Sequence, residues 1–510
     1  MQVVKTVAAL RCAMELFRSS AAGIAIGLVP TMGALHEGHR SLMTRARSQC
    51  GRVVVSIFVN PLQFGPQEDL ERYPRNLAAD LALCEAAGVD LVFVPTPAEL
   101  GVAVDRAELT QVIPPDRLAN VLCGRSRPGH FQGVTTIVTK LLNLVQPDLA
   151  FFGQKDAQQV AILRQLVADL NLPVELITCP IVRERDGLAL SSRNQYLNAT
   201  ERQQALAIFQ SLQGAIAQFQ AGERSAAALL EPVRSALSQA PGLSLDYAEL
   251  VDPDSLAPLQ TLEQAGLLAV AAQVGSARLI DNVILQTRRP IVAIDGPAGA
   301  GKSTVTRLVA QQLGLLYLDT GAMYRSVAWL ALDRGLDPAD RLAMAELSAD
   351  CTIRFGEPVT PGGEQRVWIN GQEVTSLIRT PTVTAQVSVV AAHSEVRRAL
   401  VAQQRAIGRW GGLVAEGRDI GTHVFPEAEV KIFLTATPRE RAKRRLQDWR
   451  DRGQSDLPDL DSLEAAITER DYQDSNRAVA PMVKAMDAWE LVTDGMTIEQ
   501  VVQAIVARVP

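Results

Sequence analysis

Apolar runs alternate with amphipathic stretches along residues 1–180. Runs typical of buried strands occupy residues 27–30, 53–58, 91–94 and 149–152. Helical spacing of apolar residues occurs between and after them, for example at 77–87 and 158–170. Because strands that alternate with helices form parallel sheets covered on both faces, this pattern predicts a doubly wound α/β domain over residues 1–176.

From residue 177 the pattern changes to longer helices and short strands. Helical spacing covers 201–219 and 225–238, and strand patterns surround 247–250 and 267–270. This arrangement predicts a smaller α+β subdomain over residues 177–285 that closes over the first domain. The polar stretch 286–290 then predicts a linker.

A second α/β unit is predicted over residues 286–510. Its first strand, 290–295, and its first helix, 304–313, flank a glycine-rich loop. Asn370-Gly371 lies between β-forming residues and is a strong signal for a tight hairpin turn. A hairpin at this position predicts a small β-rich insert at about residues 349–390.

Composition and charge narrow the class of protein. The 510 residues suffice for about three domains of ~150 residues, and 47% of them are hydrophobic. The net charge of −6 argues against a nucleic acid as the main partner. No apolar run approaches the ~18 residues that span a membrane, and Arg11 and Glu15 interrupt any signal-peptide core. The six cysteines include no C-x-x-C pair and no histidine spacing suited to zinc. We therefore expect a cytoplasmic protein with reduced thiols, without zinc or an organic cofactor, that binds neither nucleic acid nor membrane.

Residues 296–303 match the P-loop pattern G-x-x-x-x-G-K-[ST]. In such a loop the backbone amides cradle phosphates, Lys302 reaches the β- and γ-phosphates, and the Ser303 hydroxyl holds Mg²⁺ together with the nucleotide phosphates. The alternative is a glycine-rich structural turn. A strand pattern before the loop and a helix pattern after it favour a nucleoside triphosphate site.

A second group of polar residues lies in the N-terminal half. His36 and His39 form an H-x-G-H sequence that follows a strand and opens a predicted helix. Two imidazoles at the positive end of a helix can stabilise charge that develops on a phosphate under attack, although an isolated pair of exposed histidines is the alternative. Further polar segments follow strands at 60–64, 152–159 and 190–194. Open α/β sheets bind ligands at these strand ends.

With these motifs, residues 1 to about 285 resemble the pantothenate synthetase (pantoate–β-alanine ligase) family of the H-x-G-H nucleotidylyltransferase superfamily. The matching segments are 30–33, 73–75, 127–131, 152–159 and 190–196. The resemblance implies a Rossmann-type domain that forms pantoyl adenylate from ATP and pantoate and releases pyrophosphate. β-Alanine then displaces AMP to give the amide. The family also suggests a homodimer formed through this half.

The resemblance also assigns roles to residues. His39 is implied as proton donor, beside His36, with Lys155 as a phosphate cation and Asp156 as ribose acceptor. The implied ATP contacts are Met32, Gly33, Ala34, Leu35, Gly38, Gly153, Gln154, Asp156, Val182 (through its backbone), Leu190, Ser191, Ser192 and Arg193. The implied pantoate and β-alanine contacts are Asn60, Gln63, Tyr73 and Gln159. Two positions depart from the family pattern: Gln154 replaces an acidic residue, and the loop 98–101 lacks a Tyr-Pro pair.

The C-terminal half carries further motifs besides the P-loop. Asp319-Thr320-Gly321 follows a second strand pattern, and 416–421 follows a third. Near the end, Arg470, Asp474 and Arg477 fall on one helix face at i, i+4 and i+7, where the alternative is an ordinary solvated face. No N-K-x-D sequence occurs, which weakens a GTPase interpretation.

Residues 290–510 resemble bacterial cytidylate kinase, including the insert with its hairpin. The resemblance implies a P-loop nucleoside monophosphate kinase that phosphorylates CMP and dCMP with ATP and Mg²⁺. The implied CMP contacts are Thr320 (where serine is expected), Arg325, Ser388, Arg397, Arg418, Asp419, Arg470, Asp474 and Arg477. The implied ATP contacts are Gly296, Gly299, Ala300, Gly301, Lys302, Ser303, Thr304, Arg441 and Arg444, the last two with Arg445 in a short lid helix at 439–445. We interpret His393 and His423 as structural.

The leading hypothesis is thus one chain with two enzymes. In a first alternative, the N-terminal half is a plain nucleotidylyltransferase that forms no amide. In a second, one half is degenerate and serves as a nucleotide sensor or scaffold.

Overall fold

The computed structural model describes residues 1–20, 24–65, 68–103, 108–356, 364–451, 457–476 and 481–509, without the side chains of residues 20, 448, 451, 470, 473, 474 and 476. The chain divides into two compact units, residues 1–287 and 288–510. Within these described ranges, no helix is long and apolar enough to cross a membrane.

The first unit is built on a six-stranded sheet of order β1-β4-β3-β2-β5-β6. Its strands are β1 (Gln2–Val4), β2 (Ile26–Thr31), β3 (Arg52–Ile57), β4 (Leu91–Phe93), β5 (Leu149–Gly153) and β6 (Glu175–Cys179). Every strand pair in this sheet is parallel. The predicted α/β class is confirmed.

Helices cover both faces of this sheet. They are α1 (Val7–Ser20), α2 (Glu37–Gln49), α3 (Leu77–Ala86), α4 (Asp116–Ala119), α5 (Cys123–Ser126), α6 (His130–Val145) and α7 (Ala157–Asp169). Separate apolar cores, one containing Leu28 and Phe93 and the other containing Val29 and Val55, fill the two faces. Adjacent residues of one strand therefore contribute to opposite cores, as the period of two in a strand requires.

The remainder of the first unit is α+β. Helices α8 (Ala199–Gln220) and α9 (Ala226–Gln239) pack on an antiparallel sheet of β7 (Leu243–Val251), β8 (Ala265–Val274) and β9 (Ala277–Gln286). The strands are longer than the short segments predicted. The boundary predicted at residue 176 falls inside β6, which pairs with β5 as far as Cys179, so the change of architecture comes after that strand.

The second unit is built on a five-stranded parallel sheet of order β11-β15-β10-β16-β17. The strands of this sheet are β10 (Arg289–Asp295), β11 (Leu316–Asp319), β15 (Gly411–Gly417), β16 (Val430–Thr435) and β17 (Trp489–Val492). The unit also contains β12 (Ile353–Gly356), β13 (Arg366–Ile369) and β14 (Gln372–Glu373). Its helices are α10 (Lys302–Leu313), α11 (Thr320–Asp333), α12 (Arg341–Ala349), α13 (Pro381–Ala392), α14 (Ser394–Ile407), α15 (Pro438–Asp451), α16 (Leu460–Asn476) and α17 (Ile498–Val506).

Strands β12, β13 and β14 form the small antiparallel sheet that the hairpin signal predicted. Asn370 and Gly371 have φ values of 49° and 84°, the left-handed conformation that a tight hairpin turn needs. β-Structure ends at Glu373, however, and helix α13 occupies the last part of the range predicted for the insert.

Candidate active sites

A cavity of about 270 Å³ lies at the carboxyl ends of β2, β3, β5 and β6. The predicted site residues that line it are Met32, His36, Gly38, His39, Asn60, Gln63, Tyr73, Gly153, Lys155, Asp156, Gln159, Val182, Leu190, Ser191, Ser192 and Arg193. The structure thus brings together residues from separate segments of the chain. Four residues predicted to contact ATP, namely Gly33, Ala34, Leu35 and Gln154, are not among those that line it.

The two histidines cap helix α2. The Gly38 amide donates to Nδ1 of His36 at 3.1 Å, and the His36 amide donates to Nδ1 of His39 at 3.3 Å. Burial and the nearby Lys155 ammonium lower the pKa of His36 to about 4, and burial also lowers the pKa of His39. A neutral imidazole that accepts at Nδ1 carries its proton on Nε2. Both rings can therefore donate an Nε2–H hydrogen bond to a ligand in the cavity.

The loop between β2 and α2 is held by a carboxylate that was not among the predicted site residues. Asp80, on α3 and buried, accepts the Ala34 amide at 3.0 Å and the Leu35 amide at 2.7 Å. Ala34 has a φ of 50°, a strained value for a residue other than glycine. Asp80 thus fixes the loop conformation that leads into His36. Its distance of 46 positions along the chain explains why local sequence patterns did not identify it.

Lys155 and Asp156 lie in a 3₁₀ turn directly after β5. The Lys155 ammonium donates to the Leu190 carbonyl at 3.2 Å, and burial, with a smaller effect of Arg193, lowers the pKa of Lys155 to about 8. The Asp156 carboxylate accepts the Gln159 amide at 2.9 Å and so caps α7. A half-buried ammonium and a half-buried carboxylate from neighbouring residues therefore line the cavity.

Asn60 orients Gln63. Its amide nitrogen donates to Gln63 Oε1 and to the Gly133 carbonyl, each at 3.0 Å, and its oxygen accepts the Leu62 amide. Gln63 in turn points its nitrogen toward the sulfur of Met32 at 2.9 Å. Tyr73 shares a 3.1 Å hydrogen bond with Ser192. These contacts direct the Gln63 amide into the cavity and leave Asn60 in a supporting position.

The opposite wall of the cavity is apolar. It consists of side chains from one face of helix α6, namely Val134, Ile137, Val138 and Leu141. None of them was a predicted site residue, because apolar residues at helical spacing indicate a buried helix face and do not show that this face borders a ligand cavity. A ligand here meets hydrogen-bond donors on one side and hydrocarbon on the other.

Two acidic residues hold the arginines around the cavity. Arg193 makes two hydrogen bonds to Asp69, at 2.9 and 2.8 Å. Arg127 pairs with Glu68 and contacts His130 Nε2 at 3.1 Å. His130 Nδ1 in turn lies 2.7 Å from the Gln63 carbonyl. Glu68 and Asp69 therefore place both guanidinium groups, and neither acid was predicted from the sequence.

The second site is the P-loop between β10 and α10. A Cβ on Gly296, which has a φ of 144°, would lie 2.0 Å from the Leu434 carbonyl oxygen, so only glycine fits there. Lys302 is buried and its ammonium donates to the carbonyls of Gly296 and Pro297, each at 2.7 Å. The loop wraps around its own lysine at the start of α10, where the helix amides are available to phosphate.

Three carboxylates end adjacent strands beside this loop: Asp319 on β11, Glu416 on β15 and Asp295 on β10. Burial raises the pKa of Asp295 to about 6, although it accepts the amides of Ile420 and Gly421, each at 2.7 Å. Burial and the charge of Asp319 also raise the pKa of Glu416. Glu416 and Asp295 were not among the predicted site residues.

Five of the predicted CMP contacts lie near this edge of the sheet. The Thr320 hydroxyl donates to the Glu416 carbonyl at 2.6 Å, and Arg325 pairs with Asp319 at 2.8 Å. Arg397 and Asp419 form a buried ion pair. Arg418 donates to the Gly417 carbonyl at 3.2 Å.

The structure does not place the other predicted CMP contacts at this edge. Ser388 is exposed on α13. Arg470 and Asp474 belong to α16, but their side chains, like all of Arg477, lie outside the described residues.

The predicted lid helix is longer than expected, because α15 spans fourteen residues. Arg441 is buried, donates to the Ala298 carbonyl of the P-loop at 3.1 Å and pairs with Asp471 on α16. Arg444 donates to the Thr493 carbonyl at 2.8 Å, and Arg445 stacks on Trp449. Of the three arginines, Arg441 is the one joined directly to the phosphate loop.

Comparisons with known proteins agree with this division. Residues 2–284 match the family model described as pantoate-beta-alanine ligase, and residues 292–510 match the model described as cytidylate kinase. The chain is 55% identical to the bifunctional pantoate ligase/cytidylate kinase of Trichormus variabilis, over 99% of this chain and 98% of that protein. It is 59% identical to the protein of the same name from Thermosynechococcus vestitus, over 98% of this chain and 96% of that protein.

A crystal structure of pantothenate synthetase from Thermus thermophilus is also similar. It is 44% identical, with a TM-score of 0.52, and the match covers 56% of this chain and 99% of that one. The resemblances drawn from the motifs of both halves are confirmed. The chain belongs to the family of bifunctional pantoate ligase/cytidylate kinases.

Proposed function

We propose that residues 1–287 condense pantoate with β-alanine through pantoyl adenylate, and that residues 288–510 transfer a phosphoryl group from ATP to CMP and dCMP. The products are pantothenate, AMP and pyrophosphate in the first reaction, and ADP with CDP or dCDP in the second. The observation that carries the first proposal is the cavity that joins His36, His39, Lys155 and Gln63. A single cavity then offers donors for both a triphosphate and a small hydroxy acid.

In the adenylation step, the pantoate carboxylate attacks the α-phosphorus of ATP, and the bond to the bridging oxygen of pyrophosphate breaks. Negative charge grows on the phosphate oxygens and on the leaving group. The Nε2–H groups of His36 and His39 donate to these oxygens, and the Lys155 ammonium adds a positive charge. Ser191, Ser192 and Arg193 hold the departing pyrophosphate.

In the amide-forming step, the β-alanine amine attacks the acyl carbon of the adenylate and AMP leaves. Pantoate carries two methyl groups on the carbon next to its hydroxyl-bearing carbon, and the apolar face of α6 matches them. Gln63 and Gln159 bind its hydroxyl and carboxylate oxygens. The apolar residues of the cavity thus contact the methyl groups of pantoate, and its polar residues bind the pantoate oxygens.

The kinase reaction needs positioning and charge neutralisation more than covalent chemistry from the protein. A phosphate oxygen of CMP attacks the γ-phosphorus, and ADP leaves. Lys302 and the arginines balance the charge, and Asp419 accepts the N4 amino group of cytosine while Arg397 holds the carboxylate in place.

Mg²⁺ with ATP fits the P-loop site. Glu416 is 4% exposed, and its Oε2 has no hydrogen-bond partner among the described residues, next to strand β10 and the P-loop. A buried oxygen of this kind suits a water molecule of a hydrated cation held by Ser303. The ion would neutralise charge on the β- and γ-phosphates.

An assay of the purified chain with pantoate, β-alanine, CMP and ATP tests the proposal. We expect pantothenate and CDP in the same mixture. Pyrophosphate release without pantothenate would support the plain nucleotidylyltransferase alternative. If one half of the chain yields no product at all, that half is degenerate. The proposed partners are small molecules, namely the substrates of the two reactions. The proposed homodimer of the ligase half is tested by the molecular mass that sedimentation gives for the chain in solution.

A further inference from the structure

Two adjacent polar residues are buried in the middle of strand β9. Asp281 is 4% exposed and Asn282 is 3% exposed, although the strand otherwise contributes apolar residues to two cores. Since side chains alternate along a strand, the two residues face opposite sides of the sheet. Ile280 and Ile284, on the Asn282 side, pack against the core that includes α7. Buried polar groups require hydrogen-bond partners, and the partners of Asp281 and Asn282 belong to segments that form the ligase site.

Asn282 binds the turn that carries Lys155. Its amide nitrogen donates to the Gln154 carbonyl at 2.9 Å and to the Lys155 carbonyl at 3.0 Å. The Gln154 side chain returns a longer contact of 3.4 Å to the Asn282 oxygen. The backbone from which the lysine extends is therefore fixed by a residue 127 positions away.

Asp281 binds the segment on which the Lys155 ammonium rests. It accepts two hydrogen bonds from Arg183, at 2.6 and 2.9 Å, and Arg183 donates in addition to the Gly187 carbonyl at 3.1 Å. Arg183 lies at the start of a small hairpin, in which it pairs with Ala189 and the Leu190 amide donates to the Val182 carbonyl at 3.0 Å. The carbonyl of the same Leu190 accepts the Lys155 ammonium.

We propose that Asp281 and Asn282 are positioning residues that place the Lys155 ammonium for the ligase reaction. One holds the turn from which the lysine extends, and the other holds the hairpin whose carbonyl the ammonium contacts. The inference rests on the proposed function of the N-terminal unit. It assigns to the antiparallel sheet a direct part in building the phosphate site.

The size of the expected effect follows from geometry. Lysine has a long flexible side chain, so its ammonium is placed by both the backbone and the acceptor it meets. A displacement of about 1 Å in an active site can lower a rate by ~10²-fold. Removing the Asn282 amide frees the turn while the lysine itself remains.

A double-mutant cycle on the full chain tests the proposal. In the parental chain, Asn282→Ala is expected to lower pantothenate formation by ~10–100-fold. In a Lys155→Met background, the same change is expected to cost less than about threefold, because the residue that it positions is absent. Equal losses in both backgrounds would overturn the proposal.

The affinity for ATP is a second quantity that the double-mutant cycle can compare, and its measurement does not require a catalysed reaction. Calorimetry is done on chains that also carry Lys302→Ala, which weakens binding at the P-loop. Asn282→Ala is expected to weaken ATP binding by roughly tenfold when Lys155 is present and not when it is methionine. If the parental chain forms no pantothenate, the proposed function fails, and this affinity cycle still decides whether Asn282 acts through Lys155.

Ile280→Val is the matched control, because it removes buried volume from the same face of the same strand two residues away. It is expected to leave both readouts within about twofold. Circular dichroism and the thermal unfolding of the ligase unit in each chain report that the variants are folded. Asp281→Asn provides a second variant of nearly equal size. The Asp281 charge raises the pKa of Lys155, so its loss should move the alkaline decline in kcat/KM for ATP to lower pH. A lower rate with an unmoved pH profile would remove Asp281 from the proposal.

Discussion

At the scale of single residues, Lys155 has the most informative protonation state. Burial lowers its pKa to about 8 from the usual 10.5, so the ammonium is fully present only below that pH. We expect kcat/KM for ATP in pantothenate formation to be level at lower pH and to fall as the pH rises through about 8, approaching tenfold per unit. Bound phosphates favour the charged amine, so kcat should fall at a higher pH.

Lys155→Arg is the control for this profile. Guanidinium remains charged above pH 12, so the decline near pH 8 should disappear even if the overall rate is lower. An unchanged decline in this variant would assign it to another group. Circular dichroism of residues 1–287, released by cleavage of the linker, shows at each pH whether the ligase unit stays folded.

Asp419 is expected to determine base choice in the kinase. A carboxylate accepts from the N4 amino group of cytosine, and uracil offers an acceptor at that position. Asp419→Asn should therefore reduce kcat/KM for CMP by ~10–100-fold, while UMP changes little. The measurement is the ratio of kcat/KM for the two nucleotides, with the KM for ATP as control. An unaltered ratio would place base reading elsewhere.

At the scale of elements, helix α6 is packed unusually close to the Pro61–Gln63 turn. A Cβ on Gly133 would lie 2.1 Å from the Leu62 carbonyl oxygen. Gly133→Ala should therefore push the helix away from the turn that carries Gln63. We expect a loss of about 1–3 kcal/mol in unfolding free energy and a loss of ligase activity.

Gly214→Ala in α8 is the matched control. Apart from the neighbouring residues and backbone of its own helix, no atom of the described residues lies within 4 Å of the Cβ that this change would add. Because alanine favours helix over glycine, we expect a gain of about 0.5–1 kcal/mol with full activity. Thermal unfolding compares the two variants, and equal stability would mean that the close approach at Gly133 has no energetic role.

The sequence predicted correctly those elements that a short motif of a few neighbouring residues identifies. The P-loop, the His36–His39 cap and the Asn370-Gly371 hairpin were all placed correctly along the chain. Helix α6 was not named among the predicted elements, although its polar residues from Gln132 to Asn143 recur at helical spacing, and its apolar face gave no sign that it borders the cavity. Asp80, Asp281 and Asn282 were missed because their partners are distant in sequence, and only folding brings them to the site.

At the scale of the whole molecule, each unit has cores of its own. Each large apolar cluster formed by the described residues lies within residues 1–287 or within 288–510. The ligase product is not a kinase substrate, and neither reaction needs an intermediate from the other. Cleavage between Gln286 and Pro290 should thus give two folded fragments, each with an activity within about threefold of the intact chain. Loss of either activity in a fragment that remains folded would show that the units depend on each other.

The central claim is that one chain holds two separate active sites, each with its own charged residues. The most direct test is to measure pantothenate and CDP together for the parental chain and for His36→Ala, His39→Ala and Lys302→Ala. Each histidine variant should lower pantothenate formation by ~10²–10³-fold and leave CDP formation unchanged. Lys302→Ala should lower CDP formation by a similar factor and leave pantothenate formation unchanged. Retention of near-parental pantothenate formation by His39→Ala, or loss of both products in any folded variant, would contradict the account.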